Sequence, residues 1–149
     1  MTPRTPPVVL VFGGTDPTSG AGIQADALTL AALGCHPATV VTAVTAQDTV
    51  GVKQFATVET ELVIAQARAV LEDMPVAAIK TGMLGSSAVM GAVAGILDDY
   101  PGIPLIIDPV QASDRGDMLA DEPLDEALRA LLLPRARLVT PNSLEARTL

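Results

Sequence analysis

Gly14-Thr15-Asp16-Pro17-Thr18-Ser19-Gly20-Ala21-Gly22-Ile23-Gln24-Ala25-Asp26 is the stretch on which the fold turns. An apolar run, Val8-Val9-Leu10-Val11-Phe12, precedes it and reads as a buried strand. Leu28, Leu30 and Leu33 follow it and fit the apolar side of a helix. The stretch is therefore a glycine-rich strand-to-helix turn that ends in a carboxylate, Asp26, expected to be buried. Such turns bring backbone N–H groups and a helix N-terminus to a ligand at the C-terminal edge of a sheet. A plain tight turn needs glycine for positive φ, but not thirteen consecutive residues of this small and polar kind.

The 149 residues make one domain or part of one. Hydrophobic residues are 49% of the chain, aromatics only 2%, and Trp is absent, so the core must be built from Val, Leu, Ile and Ala. That composition suits a parallel sheet covered on both faces. A net charge of -8 argues against a nucleic-acid partner, which needs a basic surface. It leaves room for a small anion held by local N–H groups. Cys35 is the single cysteine, which excludes an intrachain disulfide and a cysteine-based metal cluster; it reads as a small buried hydrophobe. Residues 1–7 read as a flexible, proline-rich tail. The apolar run behind them is too short to span a membrane and shows no signal-peptide pattern, so a soluble, cytoplasmic protein is expected.

Strands and helices alternate along the chain. Helices are expected over Gly22–Leu33, closed by Gly34, over Glu61–Met74 with Ile64, Ala67, Leu71 and Met74 on one side, and over Ser86–Tyr100. Another is marked by Leu124, Leu128, Leu131 and Leu132, with Pro123 in its first turn. Strands are expected at Val8–Phe12, Thr39–Val44, Ala77–Thr81, Leu105–Asp108 and Leu138–Thr140. Val50–Val58 does not alternate cleanly and reads as an edge hairpin or a flap. Asn142-Ser143-Leu144-Glu145 looks like a helix start, and Leu149 closes the chain about a turn later, so a larger domain lacking its C-terminal part is expected. This order implies parallel strands with right-handed crossovers and ligands at the C-terminal strand ends. The polar clusters fall there: Gly14–Asp26, Thr45–Asp48, Thr81–Gly85, Asp108–Gly116 and Asn142–Glu145.

Gly20-Ala21-Gly22-Ile23-Gln24-Ala25 matches G-x-G-x-x-A, but Gly14–Ser19 separates it from the strand and no acidic residue closes the second strand at the dinucleotide distance. A Gly-Lys-Ser/Thr phosphate loop is absent. Gly14-Thr15-Asp16-Pro17 with Gly20–Asp26 instead resembles the opening of the hydroxymethylpyrimidine/phosphomethylpyrimidine kinases, thiamine-biosynthesis enzymes of the ribokinase superfamily. The likeness continues, in the family's order, through Thr42–Gln47, Ile79–Gly85, Asp108-Pro109-Val110 and Thr140–Glu145, and so covers nearly the whole chain.

The resemblance implies an α/β, ribokinase-like fold with a mainly parallel sheet flanked by helices, forming one incomplete kinase domain over residues 1–149. It implies ATP- and Mg²⁺-dependent phosphorylation of 4-amino-5-hydroxymethyl-2-methylpyrimidine and then of its monophosphate. Gln47 would read the pyrimidine, since a carboxamide offers both a donor and an acceptor to an aminopyrimidine edge. Asp26 would bond the amino or hydroxyl group; Gly14, Ala21 and Thr45 would add backbone and small-side-chain contacts, and Met83 and Val110 apolar walls. Asn142 and Lys80 would meet the nucleotide, and Glu145 and Asp108 the metal. Read without the resemblance, Asn142 and Glu145 have the spacing of a capping box, and Lys80 beside a strand end that of a salt-bridge partner.

Thr18-Ser19 stands where Ser-Gly is common in the family, Asp48 where Asn is usual, and Gln111 where Met is. Asp114-Arg115-Gly116-Asp117 adds acid to a loop expected near phosphate, which weakens ATP binding. The family's later Gly-Thr-Gly anion hole and its hydroxyl-activating group are expected in the missing C-terminal part. Three alternatives stay open: a pyridoxal-type vitamin kinase, a non-catalytic aminopyrimidine-binding module, and an inactive, partly folded remnant. An uncovered sheet edge favours a homodimer.

Overall fold

The computed structural model describes residues 5–110 and 124–149. Met1–Arg4 of the expected tail, Gln111, the Asp114–Asp117 loop and Pro123 lie outside the described residues. The strands are β1 (Val8–Gly14), β2 (His36–Gln47), β3 (Val52–Thr57), β4 (Val76–Thr81), β5 (Leu105–Ile107) and β6 (Ala136–Val139). They form one sheet in the order β3-β2-β1-β4-β5-β6. All pairings are parallel except β2 with β3. The helices are α1 (Gly22–Ala32), α2 (Thr60–Leu71), α3 (Ser87–Asp99), α4 (Asp125–Ala127) and α5 (Glu145–Thr148). A π turn, Leu128–Leu132, and a 3₁₀ turn, Leu133–Arg135, carry α4 on to β6.

The main core lies on one face of the sheet. Val8, Leu10 and Phe12 alternate along β1 and pack with Val63, Ala67 and Leu71 of α2 and Val89, Val93 and Leu97 of α3. Leu128 and Leu132 complete it. The opposite face carries α1, where a Cβ at Gly13 would meet the Ile23 side chain at 3.1 Å. Ile23 is the buried residue of α1, with Ala27 and Leu30 half-buried at i+4 and i+7; of the expected Leu28, Leu30 and Leu33, only Leu30 faces the sheet side. Leu28 is 62% and Leu33, just past the helix, 74% exposed: Ala and Leu are spread around α1, so periodicity marks no single apolar face, and the first turn sets the docking. Gly34 closes α1 as expected: at φ +78 its N–H bonds Ala31, and that of Cys35 bonds Leu30.

One boundary differs from the sequence reading in a way that matters for the site. β2 runs on to Gln47, because its last residues, Ala43–Gln47, pair antiparallel with β3. Val50–Val58 is thus the edge hairpin of the two forms considered. β1 leads through α1 to β2 on one side, while β4 leads through α3 to β5 on the other. A crevice opens where neighbouring strands send their connections in opposite directions, and here it falls between the C-terminal ends of β1 and β4.

The loop from β1 to α1 is folded around a buried carboxylate, Asp16, which is 2% exposed. Its Oδ1 accepts from the Thr18 N–H at 2.8 Å and the Thr18 hydroxyl at 2.9 Å; its Oδ2 accepts from the Ala21 N–H at 2.8 Å. The Asp16 N–H in turn donates to Gln24 Oε1 at 2.8 Å, so loop and first helical turn hold each other. Burial pushes the Asp16 carboxyl up, but bonds from Thr18, Ala21 and Gly20 outweigh it and hold the group below the usual carboxylate range. Gly22 begins α1 at φ +61, where a Cβ would stand 2.5 Å from the Gly14 carbonyl oxygen.

Asp16→Ala should lower the unfolding free energy by about 1–3 kcal/mol, the effect of leaving buried N–H groups unpaired. The folded carboxyl sits below its unfolded value, so its contribution is whole above about pH 4 and fades as pH falls through the folded value. Denaturant unfolding of both proteins between neutral and strongly acid pH checks this: the gap should narrow only at the acid end. Gly22→Ala should be destabilising by about 1–3 kcal/mol or more, since strain and a backbone clash add. Gly34→Ala, also at positive φ but with open space around its Cβ, should cost only about 1 kcal/mol. Thermal unfolding of the pair separates clash from strain.

Candidate functional site

The crevice is a cleft of about 540 Å³. Every residue singled out from the sequence lines it: Gly14, Ala21, Asp26, Thr45, Gln47, Lys80, Met83, Asp108, Val110, Asn142 and Glu145. They come from the C-terminal ends of β1, β2, β4 and β5, from the start of α1 and from the turn into α5. Thr15, Gly22, Ala25, Asp48, the turn residues Thr49–Gly51, Val52 of β3, Gly82 and Thr140 complete the lining.

Lys80 lies at the centre of the charge. Its Nζ is 2.8 and 3.1 Å from the two oxygens of Asp26 and 3.3 Å from Asp108 Oδ2. One ammonium therefore bridges α1, β4 and the end of β5. The salt-bridge reading of Lys80 is realised, and Asp26 reaches the cleft already paired rather than as a free acceptor. At the mouth, Asp48 accepts from the N–H groups of Val50 at 2.8 Å and Gly51 at 3.1 Å and pairs with Lys53 at 2.6 Å. The Lys53 ammonium first, then these N–H groups, lower the Asp48 carboxyl to about 2. The residue expected as an asparagine thus shapes the hairpin turn and stays ionised.

Asn142 and Glu145 form the capping box that their spacing allows. Asn142 Oδ1 accepts from the N–H of Leu144 at 2.9 Å and of Glu145 at 3.0 Å, and Glu145 Oε2 accepts from the Asn142 N–H at 2.8 Å. Among the described residues no three His, Cys, Asp or Glu side chains gather as a metal cluster. Glu145 and Asp108 face the same cleft, and two carboxylates fit Mg²⁺, which completes its shell with water and phosphate oxygens.

Three positioning contacts have no counterpart in the sequence reading. The Thr45 N–H donates to Thr15 Oγ1 at 3.0 Å, and the Thr45 hydroxyl donates to the Thr15 carbonyl at 2.6 Å, latching β2 to the end of β1. The buried Thr42 hydroxyl donates to the Met83 carbonyl at 2.6 Å. That brings Met83 over Gly14, where a Cβ would stand 2.9 Å from its sulfur. Asp16 is the third. Its local pattern, a carboxylate two residues before a threonine N–H, is a recognisable turn signal; the threonine pairs are far apart in the chain and leave none.

The phosphomethylpyrimidine kinase family pattern matches residues 16–149. The hydroxymethylpyrimidine/phosphomethylpyrimidine kinase of Mycobacterium tuberculosis is 49% identical over 147 residues, covering 97% of this chain and 53% of that protein. The crystal structure of phosphomethylpyrimidine kinase from Clostridium difficile superposes with a TM-score of 0.85 at 37% identity, covering 95% of this chain and 61% of that one. Pyridoxal kinase from Staphylococcus aureus, in complex with AMP-PCP and pyridoxal, superposes with a TM-score of 0.82 at 30% identity, covering 96% and 51%. The chain spans about half the length of the curated relatives it matches. With its ribokinase-like sheet and the match over nearly all its length, the chain belongs to the phosphomethylpyrimidine kinase family.

Proposed function

We propose that this chain carries the substrate-holding part of an ATP- and Mg²⁺-dependent kinase for 4-amino-5-hydroxymethyl-2-methylpyrimidine and its monophosphate. The observation that carries the reading is one cleft in which a carboxamide, Gln47, faces the same space as the carboxylates Asp108 and Glu145. Gln47 offers a donor and an acceptor to the aminopyrimidine edge. Met83 and Val110 are apolar and flank the ring; Gly14 and Ala21 leave room for it. Asp26, fixed by Lys80, accepts from the ligand's amino or hydroxyl group with a free lone pair.

Asp108 and Glu145 would hold Mg²⁺, and Asn142 with Lys80 would border the nucleotide. The ion, when bound, neutralises charge on the phosphates. Without it, a cleft with one cation among several carboxylates repels a nucleotide. The group that takes the proton from the hydroxymethyl oxygen lies outside the described residues in this reading.

The pyridoxal-type alternative draws support from the Staphylococcus aureus structure, and the higher identity to the pyrimidine kinases weighs against it. Calorimetry with the aminopyrimidine and with pyridoxal decides: saturable heat from the first and none from the second is expected. Saturable binding with no ATP consumption would mark the binding-module reading.

Gln47→Ala should weaken aminopyrimidine binding by about 1–3 kcal/mol, the effect of unpaired polar groups in a closed site. Unchanged affinity by calorimetry removes Gln47 from recognition. Removal of Mg²⁺ with a chelator should weaken nucleotide binding to the native chain. In Asp108→Asn the affinity with Mg²⁺ present should already be roughly 10-fold lower, so that the chelator adds little. An undiminished chelator effect in that variant rules Asp108 out as a ligand.

A further inference from the structure

The Gln47 carboxamide has a donor arm and an acceptor arm of almost equal size, so a neighbour has to decide which arm points where. Among the described residues that neighbour is Thr45, whose Oγ1 lies 3.5 Å from Gln47 Oε1. The same Oγ1 lies 2.6 Å from the Thr15 carbonyl oxygen. A carbonyl can only accept, so the single hydroxyl proton of Thr45 is committed to Thr15. Toward Gln47 the hydroxyl is then an acceptor. Two acceptors facing one another gain nothing; a half-turn of the amide puts Nε2 there, where a small closing of the 3.5 Å gap makes an N–H···O bond.

We propose that Thr45, itself held by Thr15, is a positioning residue that fixes the Gln47 amide with Nε2 toward Thr45 and Oε1 away from it, and that this sets which heterocycle the cleft accepts. The proposal rests on the reading of Gln47 as the residue that contacts the heterocycle. Nε2 carries two protons. One is given to Thr45. The other, beside Oε1, forms with it an edge of one donor and one acceptor. An aminopyrimidine matches this edge, its exocyclic N–H opposite Oε1 and its ring nitrogen opposite Nε2. The 4-oxo analogue, with a carbonyl and a ring N–H in those places, sets oxygen against oxygen and N–H against N–H. Freed from Thr45, the amide can turn and serve either ligand.

Calorimetry of the native chain, Thr45→Val and Thr45→Ser with 4-amino-5-hydroxymethyl-2-methylpyrimidine and its 4-oxo analogue tests this. The native chain should prefer the amino compound by about 10-fold or more, as expected for one mispaired edge. Thr45→Val should bring the two ligands within roughly 3-fold, with the 4-oxo compound bound more tightly than by the native chain. Thr45→Ser, which keeps the hydroxyl, should retain the native preference. A Thr45→Val variant that weakens both ligands equally and leaves their ratio unchanged overturns the proposal, because that is what a merely structural threonine would do. Should Thr45→Val fail to fold, side-chain amide proton exchange in the native chain takes its place. One Gln47 Nε2 proton should exchange measurably more slowly than the other, and equal exchange of both overturns the proposal. Gln47→Ala separates the two levels: no effect on either ligand sinks the reading of Gln47 itself, whereas a clear effect beside an unchanged Thr45→Val ratio sinks only the role of Thr45.

Discussion

The Asp16 carboxylate is the interaction on which the cleft depends. A buried charge left without partners is costly, by several kcal/mol. Here the Thr18 hydroxyl and the N–H groups of Thr18 and Ala21 surround it. Those bonds fix the path of the loop: it bends at Ser19, at φ 62, and enters α1 with the Ala21 N–H already satisfied. No side chain of α1 caps its own N-terminus, so the loop carboxylate does the capping from outside the helix. Gly22 is thereby pressed against the Gly14 carbonyl, and the cleft floor is backbone meeting backbone. A ligand can approach that floor closely because no Cβ stands in the way.

The charges follow from the same frame. Asp26 projects from α1, whose start Asp16 fixes, and meets Lys80 from β4. Lys80 also reaches Asp108 at the end of β5, so one cation ties together three elements that converge on the cleft. Both carboxylates stay partly exposed, their side chains 25% and 37% accessible, so water screens the pair and its value is more in geometry than in energy. The balance remains acidic around the cleft. A naked polyanion gains nothing from such a surface, while an anion that arrives with a divalent cation does.

The α/β order was legible because β1 and β5 are continuous apolar runs and the helices between them carry clear breaks, Gly34, Pro75 and Pro101-Gly102. The end of β2 was not legible. Thr45-Ala46-Gln47 looks like a polar loop, and its ladder partner, Val52–Thr57, is itself half polar; only their pairing makes either a strand. Leu28 and Leu33 were misplaced for the opposite reason: Ala and Leu are spread around α1, and periodicity cannot choose among equals. All the residues named for the site converge on one cleft, since strand ends in a parallel sheet share a rim. Their partners were harder to see. Asn142 and Glu145 have one spacing that fits two readings, of which the cap is the one observed, and the Lys80 pairings join residues far apart in sequence.

The cleft is assembled from two mechanical parts. The β2–β3 hairpin carries Gln47 and Asp48, and β4 with β5 carries Lys80 and Asp108. They lie on opposite sides of β1 and do not pair with each other. Two contacts at the end of β1 hold the hairpin, and the second crosses to the β4 side. Thr45 is latched to Thr15, and Thr42 reaches the Met83 carbonyl above Gly14. Both use small side chains on β2, and the second needs the missing Cβ at Gly14. The separation between the Gln47 amide and the cleft carboxylates is therefore set at the backbone of β1, not by long side chains reaching across the cleft. Long side chains would adapt to many ligands; short ones anchored to a strand end hold one spacing, the rigidity that the kinase activity proposed above would need to set two bound reactants at one distance.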